Sequence, residues 1–74
     1  MPRRDTRAAL GKAVRHFRTE RGDTQEALAH DAGITVGHLS KIERGQANPT
    51  WETIQAIAAA LKVSVSQLAE QAEK

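Results

Sequence analysis

Between residues 36 and 44 the sequence reads "VGHLSKIER", a short run with two unlike sides. At helical spacing Leu39 and Ile42 share one face, Gly37, Ser40, Lys41 and Arg44 lie roughly opposite, and Val36 and His38 flank that outward strip. Such a strip has hydrogen-bond donors and no bulk. Lys41 supplies an amine donor to that strip, and Val36 an apolar side chain open either to an outside contact or to partial burial in the first turn. The run therefore fits a broad polar surface better than an enclosed pocket.

Other chemistries find little support. His16, His30 and His38 lack the i, i+4 spacing of a helical metal pair, and with no cysteine in the chain no metal site is expected. The carboxylates are scattered, and no nucleophile stands in sequence with a plausible base. No enzymatic activity and no cofactor are expected.

A chain of 74 residues supports one domain, and one this small buries only ~60% of the surface its unfolded form exposes. Leu, Ile, Val and Phe number 14, a lean supply for a core. Thirteen alanines and clear periodicity point instead to a small helical core built on close helix approach. The formal net charge of +2 hides an asymmetry: residues 1–22 carry seven basic and two acidic groups, and residues 23–74 four basic and seven acidic. A basic amino end, with Arg3 and Arg4 in an arm over residues 1–5, is one footprint of a phosphate-bearing partner. The absence of cysteine fits a reducing compartment. With no signal peptide and no membrane span legible, a soluble cytoplasmic protein without membrane contact is expected.

Five helices are needed to position the polar strip. The first is expected over about residues 6–21, capped by Asp5, stopped at Gly22 and facing inward with Leu10, Ala13, Val14 and Phe17. Thr24 caps a second, about 25–32, with Leu28, Ala29 and Ala32 inside and Gly33 ending it. Thr35 caps the third, about 36–44, which Gly45 closes in the left-handed conformation. Pro49 keeps "QANPT" a loop, and Thr50 starts a fourth helix through Leu61 whose apolar stripe is Trp51, Ile54, Ile57, Ala58 and Leu61. Trp51 is expected to anchor that helix start on the core, with a dimer contact as the alternative. Ser64 and Gln67 form a capping-box pattern ahead of Val65, Leu68, Ala69 and Ala72, so "VSVS" opens a fifth helix rather than a strand.

Two short helices joined by a glycine turn, the second with a polar outward face, have the sequence shape of a helix-turn-helix over about 25–44. At this point the resemblance is specific. "TQEALAHDAG" followed by "HLSKIERGQANPTWETIQAIAAAL" resembles the Cro/C1-type (XRE) helix-turn-helix family of phage repressors, restriction-modification controller proteins and small bacterial regulators. Gln25, Leu28, Ala29, Ala32, Gly33, Leu39, Ser40, Ile42, Glu43, Arg44, Gly45 and Pro49 fall in register, and the likeness spans about Leu10 to Leu68. It implies an all-α, five-helix, lambda-repressor-like DNA-binding domain filling residues 1–74.

Residue roles follow from that resemblance. It implies that Val36, Gly37, His38 and Lys41 face bases in the major groove. Gln25, Thr35, Ser40, Arg44, Gln46, Asn48 and Arg18 are assigned to backbone phosphates, which hold register and carry little sequence information directly. Arg18 and Glu43 match a pair that orients the reading helix, and Gln25 matches a residue that both touches phosphate and orients that helix. Gly37 departs from the family pattern, where a base-reading side chain often stands; glycine within a helix costs ~1 kcal/mol against alanine. DNA shape is therefore expected to supply part of the specificity.

The function expected is a sequence-specific regulator of transcription that binds double-stranded DNA as a homodimer on paired half-sites ~34 Å apart. Dimerisation is expected at helices four and five, around Trp51, Val63, Val65 and Leu68. No effector module is expected after Lys74, so regulation would track protein concentration. A restriction-modification controller, a phage-type repressor and an antitoxin stay open, as does a protein-binding adaptor that reuses the fold; any toxin or RNA polymerase contact is unknown.

Overall fold

The computed structural model describes residues 6–74. Among them lie five helices and no strand: α1 Thr6–Arg21, α2 Gln25–Ala32, α3 Val36–Glu43, α4 Trp51–Leu61 and α5 Val65–Ala72. The all-α, five-helix expectation holds. The proposed Asp5 cap and the basic arm at Arg3 and Arg4 lie outside the described residues.

Local chemistry sets nearly every boundary. Thr24, Thr35 and Thr50 each adopt extended backbone and accept the N–H of the residue three positions on, from Ala27, His38 and Thr53. Ser64 and Gln67 close the reciprocal capping box, the Ser64 hydroxyl accepting the Gln67 N–H at 3.0 Å and the Gln67 side-chain oxygen accepting the Ser64 N–H at 2.8 Å. Each such cap contributes about 1 kcal/mol. At the other ends the chain turns left-handed at Gly33 (φ 74°) and Gly45 (φ 73°). Gly45 is required twice over, because a Cβ there would also stand 2.9 Å from the Ala8 Cα.

The core gathers Ala13, Val14, Leu28, Ala29, Leu39, Ile42, Ile57, Ala58, Leu61 and Leu68, at most 3% exposed. α1 packs on α5 and α3, α2 on α4 and α3. α3 is thus backed by α1 and α2, which leaves its polar strip outside.

Several expectations need correction. α3 ends at Glu43, with Arg44 as its C-cap, one residue earlier than the spacing predicts. Trp51 is 60% exposed and does not anchor the helix on the core. It lies at the edge of the α4 stripe in the first turn, where Ile54, Ile57, Ala58 and Leu61 already fill the buried face. Leu68 is 1% exposed and belongs to the core, so it is not open to a partner; Val63 and Val65 pack against that core in part. Ala69 faces solvent, because Leu68 takes the inward position of its turn. The last surprise is Lys62, a non-glycine residue at φ 62° that caps α4 in the left-handed region.

Candidate nucleic-acid interface

α2 and α3 are joined by only Gly33, Ile34 and Thr35. Gly33 reverses the chain, the Ile34 N–H donates to the Ala29 carbonyl at 3.0 Å, and the Ile34 side chain packs against the core. Thr35 then caps α3, its hydroxyl accepting the His38 N–H at 3.0 Å. With Leu39 and Ile42 buried, the helix can expose only one side.

That side carries the residues singled out for bases. Val36 is 43% exposed, Gly37 and Lys41 are exposed, and His38 and Ser40 are half-buried. A Cβ added at Gly37 would meet nothing within 4 Å, and its φ is not positive. Neither backbone nor crowding by the described residues demands a glycine there. Arg44 folds back, its Nε donating to the Ser40 carbonyl at 3.3 Å, and Gln46 and Asn48 stand exposed in the loop beyond. Gln25, half-buried at the start of α2, lies on the other flank.

The far end of α3 is held by charge. Arg18 of α1 engages Glu43 with two parallel hydrogen bonds, Nε to Oε2 at 2.6 Å and Nη2 to Oε1 at 3.0 Å. Its Nη1 donates to the Asp23 carbonyl at 3.0 Å. Both side chains are largely shielded, at 13% and 4% exposure. The hydrogen bond to Glu43 raises the Arg18 pKa above its ordinary value; burial opposes the rise, and the Glu43 and Asp23 charges assist it. Three of the five guanidinium N–H groups are thus engaged, and two are left for a further acceptor.

Glu43 has a third donor that the sequence does not announce. The Gln25 Nε2 reaches its Oε1 at 2.9 Å across eighteen residues of sequence. Gln25 therefore turns at least partly inward in the free protein rather than standing as a simple surface residue. Gly11, unassigned by the motif, is also part of the site's scaffold. It is buried where α1 crosses α3, and a Cβ on it would collide with the carbonyl oxygens of Ile42 and Glu43. A glycine inside an otherwise regular helix was the available signal.

No group of three or more potential ligating side chains converges among the described residues, and no helix there is long and apolar enough to cross a membrane. Five helices with an exposed α3 locked to α1 and α2 define a helix-turn-helix domain of the lambda-repressor-like class. The helix-turn-helix family HTH_3 matches residues 14–68, and the chain belongs to this Cro/C1-type (XRE) family. It is 39% identical over 64 residues to the HTH-type transcriptional regulator DdrOP3 of Deinococcus deserti, covering 86% of this chain and 50% of that protein. The chain thus spans about half the length of that relative. Its fold is similar to the crystal structure of the clp gene regulator ClgR from Corynebacterium glutamicum, with TM-score 0.94 and 35% identity over 97% of this chain and 77% of that one. It is also similar to the restriction-modification controller protein C.AhdI from Aeromonas hydrophila, with TM-score 0.82 and 32% identity over 84% of this chain and 94% of that one. These relatives are regulators rather than enzymes.

Proposed function

We propose that this chain is a sequence-specific regulator of transcription that binds double-stranded DNA in the cytoplasm as a homodimer, reading paired half-sites through the major groove with α3. The observation that carries the reading is the division of α3. Its carboxyl end is clamped by Arg18 and Gln25, while Val36, Gly37 and Lys41 stay in solvent. A reading helix needs that combination, because base contacts discriminate only when their geometry is held.

In this reading Val36, Gly37, His38 and Lys41 face bases. Gln25, Thr35, Ser40, Arg44, Gln46, Asn48 and Arg18 face phosphates, the last with its two remaining N–H groups. The open space at Gly37 lets the duplex approach the helix backbone without a side chain between them, which favours a contribution from DNA shape. One copy offers few base contacts; two copies on half-sites ~34 Å apart supply the rest. Dimerisation uses the exposed margin near Trp51 and the α4–α5 region, without Leu68.

A footprint on the DNA just upstream of the chain's own gene, repeated at two salt concentrations, tests the proposal. Two protected half-sites about a turn apart are expected, with affinity falling by a log-log slope of ~−0.9 per phosphate neutralised. No protection, together with no binding to a randomised duplex pool, would move a protein-binding adaptor to the front. Neighbouring genes separate the regulator types: an endonuclease and methylase, a prophage, or a small toxin.

A further inference from the structure

We propose that Gly11 is a specificity-determining residue that acts without touching DNA: by carrying no side chain where α1 crosses α3, it fixes the height and tilt at which the reading helix stands. The inference rests on the DNA-reading role proposed for α3 and deepens it.

Of the five glycines, Gly22, Gly33 and Gly45 hold positive φ, and a Cβ at Gly37 would meet open space. Gly11 differs from all four. Its φ is not positive, and it lies inside the regular helix α1, where alanine is the better helix former. Only its neighbour requires a glycine: a Cβ there would run into the Ile42 carbonyl oxygen and stand 2.7 Å from that of Glu43. Packing as such does not demand so close an approach, since helices seat alanine at a crossing when their axes lie slightly further apart.

The contact continues for one turn of α1. Ala8, three residues before Gly11 and on the same helix face, backs Gly45, where a Cβ would lie 2.9 Å from the Ala8 Cα and 3.1 Å from its nitrogen. The carboxyl end of α3 and the start of the loop beyond it therefore rest on the α1 backbone. Nor can the crowded carbonyls turn aside. The Ile42 carbonyl accepts the Gly45 N–H at 3.0 Å and the Lys41 carbonyl accepts the Gln46 N–H at 2.9 Å, which closes the end of α3. A methyl at residue 11 is relieved only by lifting that whole end off α1, by roughly 1 Å to reach ordinary van der Waals distance.

The start of α3 does not follow, because the turn of residues 33–35 and the buried Leu39 hold it. The helix tilts instead. Eight residues span ~12 Å, so a rise of ~1 Å at one end is a rotation of about 5°. Lys41 and the loop bearing Gln46 and Asn48 stand nearest the lifted end and move most. Contacts with base edges hold only within about 0.5 Å of their geometry, whereas charge attraction to phosphates varies little over that distance. The bare crossing at Gly11 thus serves discrimination between sequences as well as the stability of the fold.

Two measurements on the intact chain test this. The first, without DNA, is the direction of α3 relative to α2 and α4, read from residual dipolar couplings of the backbone amides. Gly11→Ala should rotate α3 by about 5° while α2 and α4 keep their mutual angle. An unchanged direction overturns the inference. The second compares affinity for a duplex selected by the wild-type chain from a randomised pool with affinity for random duplex, at a temperature where circular dichroism shows each variant folded. Gly11→Ala should bind the selected duplex about tenfold more weakly and random duplex less than about twofold more weakly. Ile57→Val, which loosens the core on α4, should lose stability and keep the ratio of the two affinities. Equal losses of Gly11→Ala on both duplexes, or an equal fall of the ratio in Ile57→Val, would reduce Gly11 to a structural role and overturn the inference. If Gly11→Ala does not fold alone, the same comparison is made in a Lys62→Gly background, where the relieved backbone at the end of α4 adds stability. Failure to fold there too overturns the inference, since a residue the fold itself requires is no positioning residue. A wild-type chain that selects no duplex sinks the DNA-reading role, and the dipolar couplings then uphold or overturn the seating of α3 by themselves.

Discussion

Gly11 of α1 meets Glu43 of α3 backbone to backbone: a Cβ at Gly11 would lie 2.7 Å from the Glu43 carbonyl oxygen and 2.9 Å from its carbon. The same residue 43 whose side chain takes the Arg18 and Gln25 hydrogen bonds is thus pressed against α1 by its main chain as well. Gly11→Ala gains ~1 kcal/mol of helix propensity and forces the crossing apart. Since overlap with backbone cannot be relieved by a rotamer change, a net loss of about 2 kcal/mol is expected in urea unfolding. An unchanged midpoint would show slack between the two helices.

Removing the cation opposite Glu43 should be costly. Arg18→Met leaves a shielded carboxylate with only Gln25, and the expected loss is about 3 kcal/mol. Arg18→Lys, which keeps charge but not the paired geometry, should fall between. Because the hydrogen bond to Glu43 raises the Arg18 pKa, the cation's contribution is complete below its ordinary value. It is lost only as pH climbs through the raised one. Urea midpoints of wild type and Arg18→Met compared at pH 6 and pH 8 should therefore differ by the same margin.

Lys62 holds φ 62° and ψ 34° at the end of α4, a conformation that costs a side-chain-bearing residue roughly 1 kcal/mol. Lys62→Gly should raise the melting temperature by several degrees, on the order of 4 to 8 °C per kcal/mol in a domain of this size. A fall would mean that the lysine side chain makes up for its strained backbone.

Trp51 is the chain's sole tryptophan and is 60% exposed. Trp51→Ala should leave the unfolding free energy of the isolated chain within ~0.5 kcal/mol of wild type. Sedimentation of both proteins supplies the contrast: weaker self-association at equal stability would assign Trp51 to the dimer contact.

Lys41 is exposed on the strip opposite Leu39 and Ile42. If it reads a base, Lys41→Ala should cost ~1–3 kcal/mol on the preferred duplex and little on random sequence. Competition binding against both duplexes checks this, and equal losses would return Lys41 to a phosphate or solvent role.

The elements were legible because their signals are local. Thr24, Thr35, Thr50 and Ser64 cap where they stand, Gly33 and Gly45 turn left-handed where a helix must stop, and Leu39 with Ile42 marks the buried side of α3. Arg18 and Glu43 could be paired only through the family resemblance, since twenty-five residues separate them. Trp51 misled, because its size argued for burial while its angular place at a helix start left it no partner.

What the sequence determined by itself was a five-helix chain whose third helix carries a polar face, since caps, turns and periodicity act over a few residues at a time. Only the tertiary structure decided how that helix is held. Gly11 matters because α1 crosses α3 at backbone distance, Gln25 turns toward Glu43 because packing brings the two ends together, and Leu68 is withdrawn from the surface because α5 folds back on α1. Each depends on where distant segments meet, which no short-range pattern encodes.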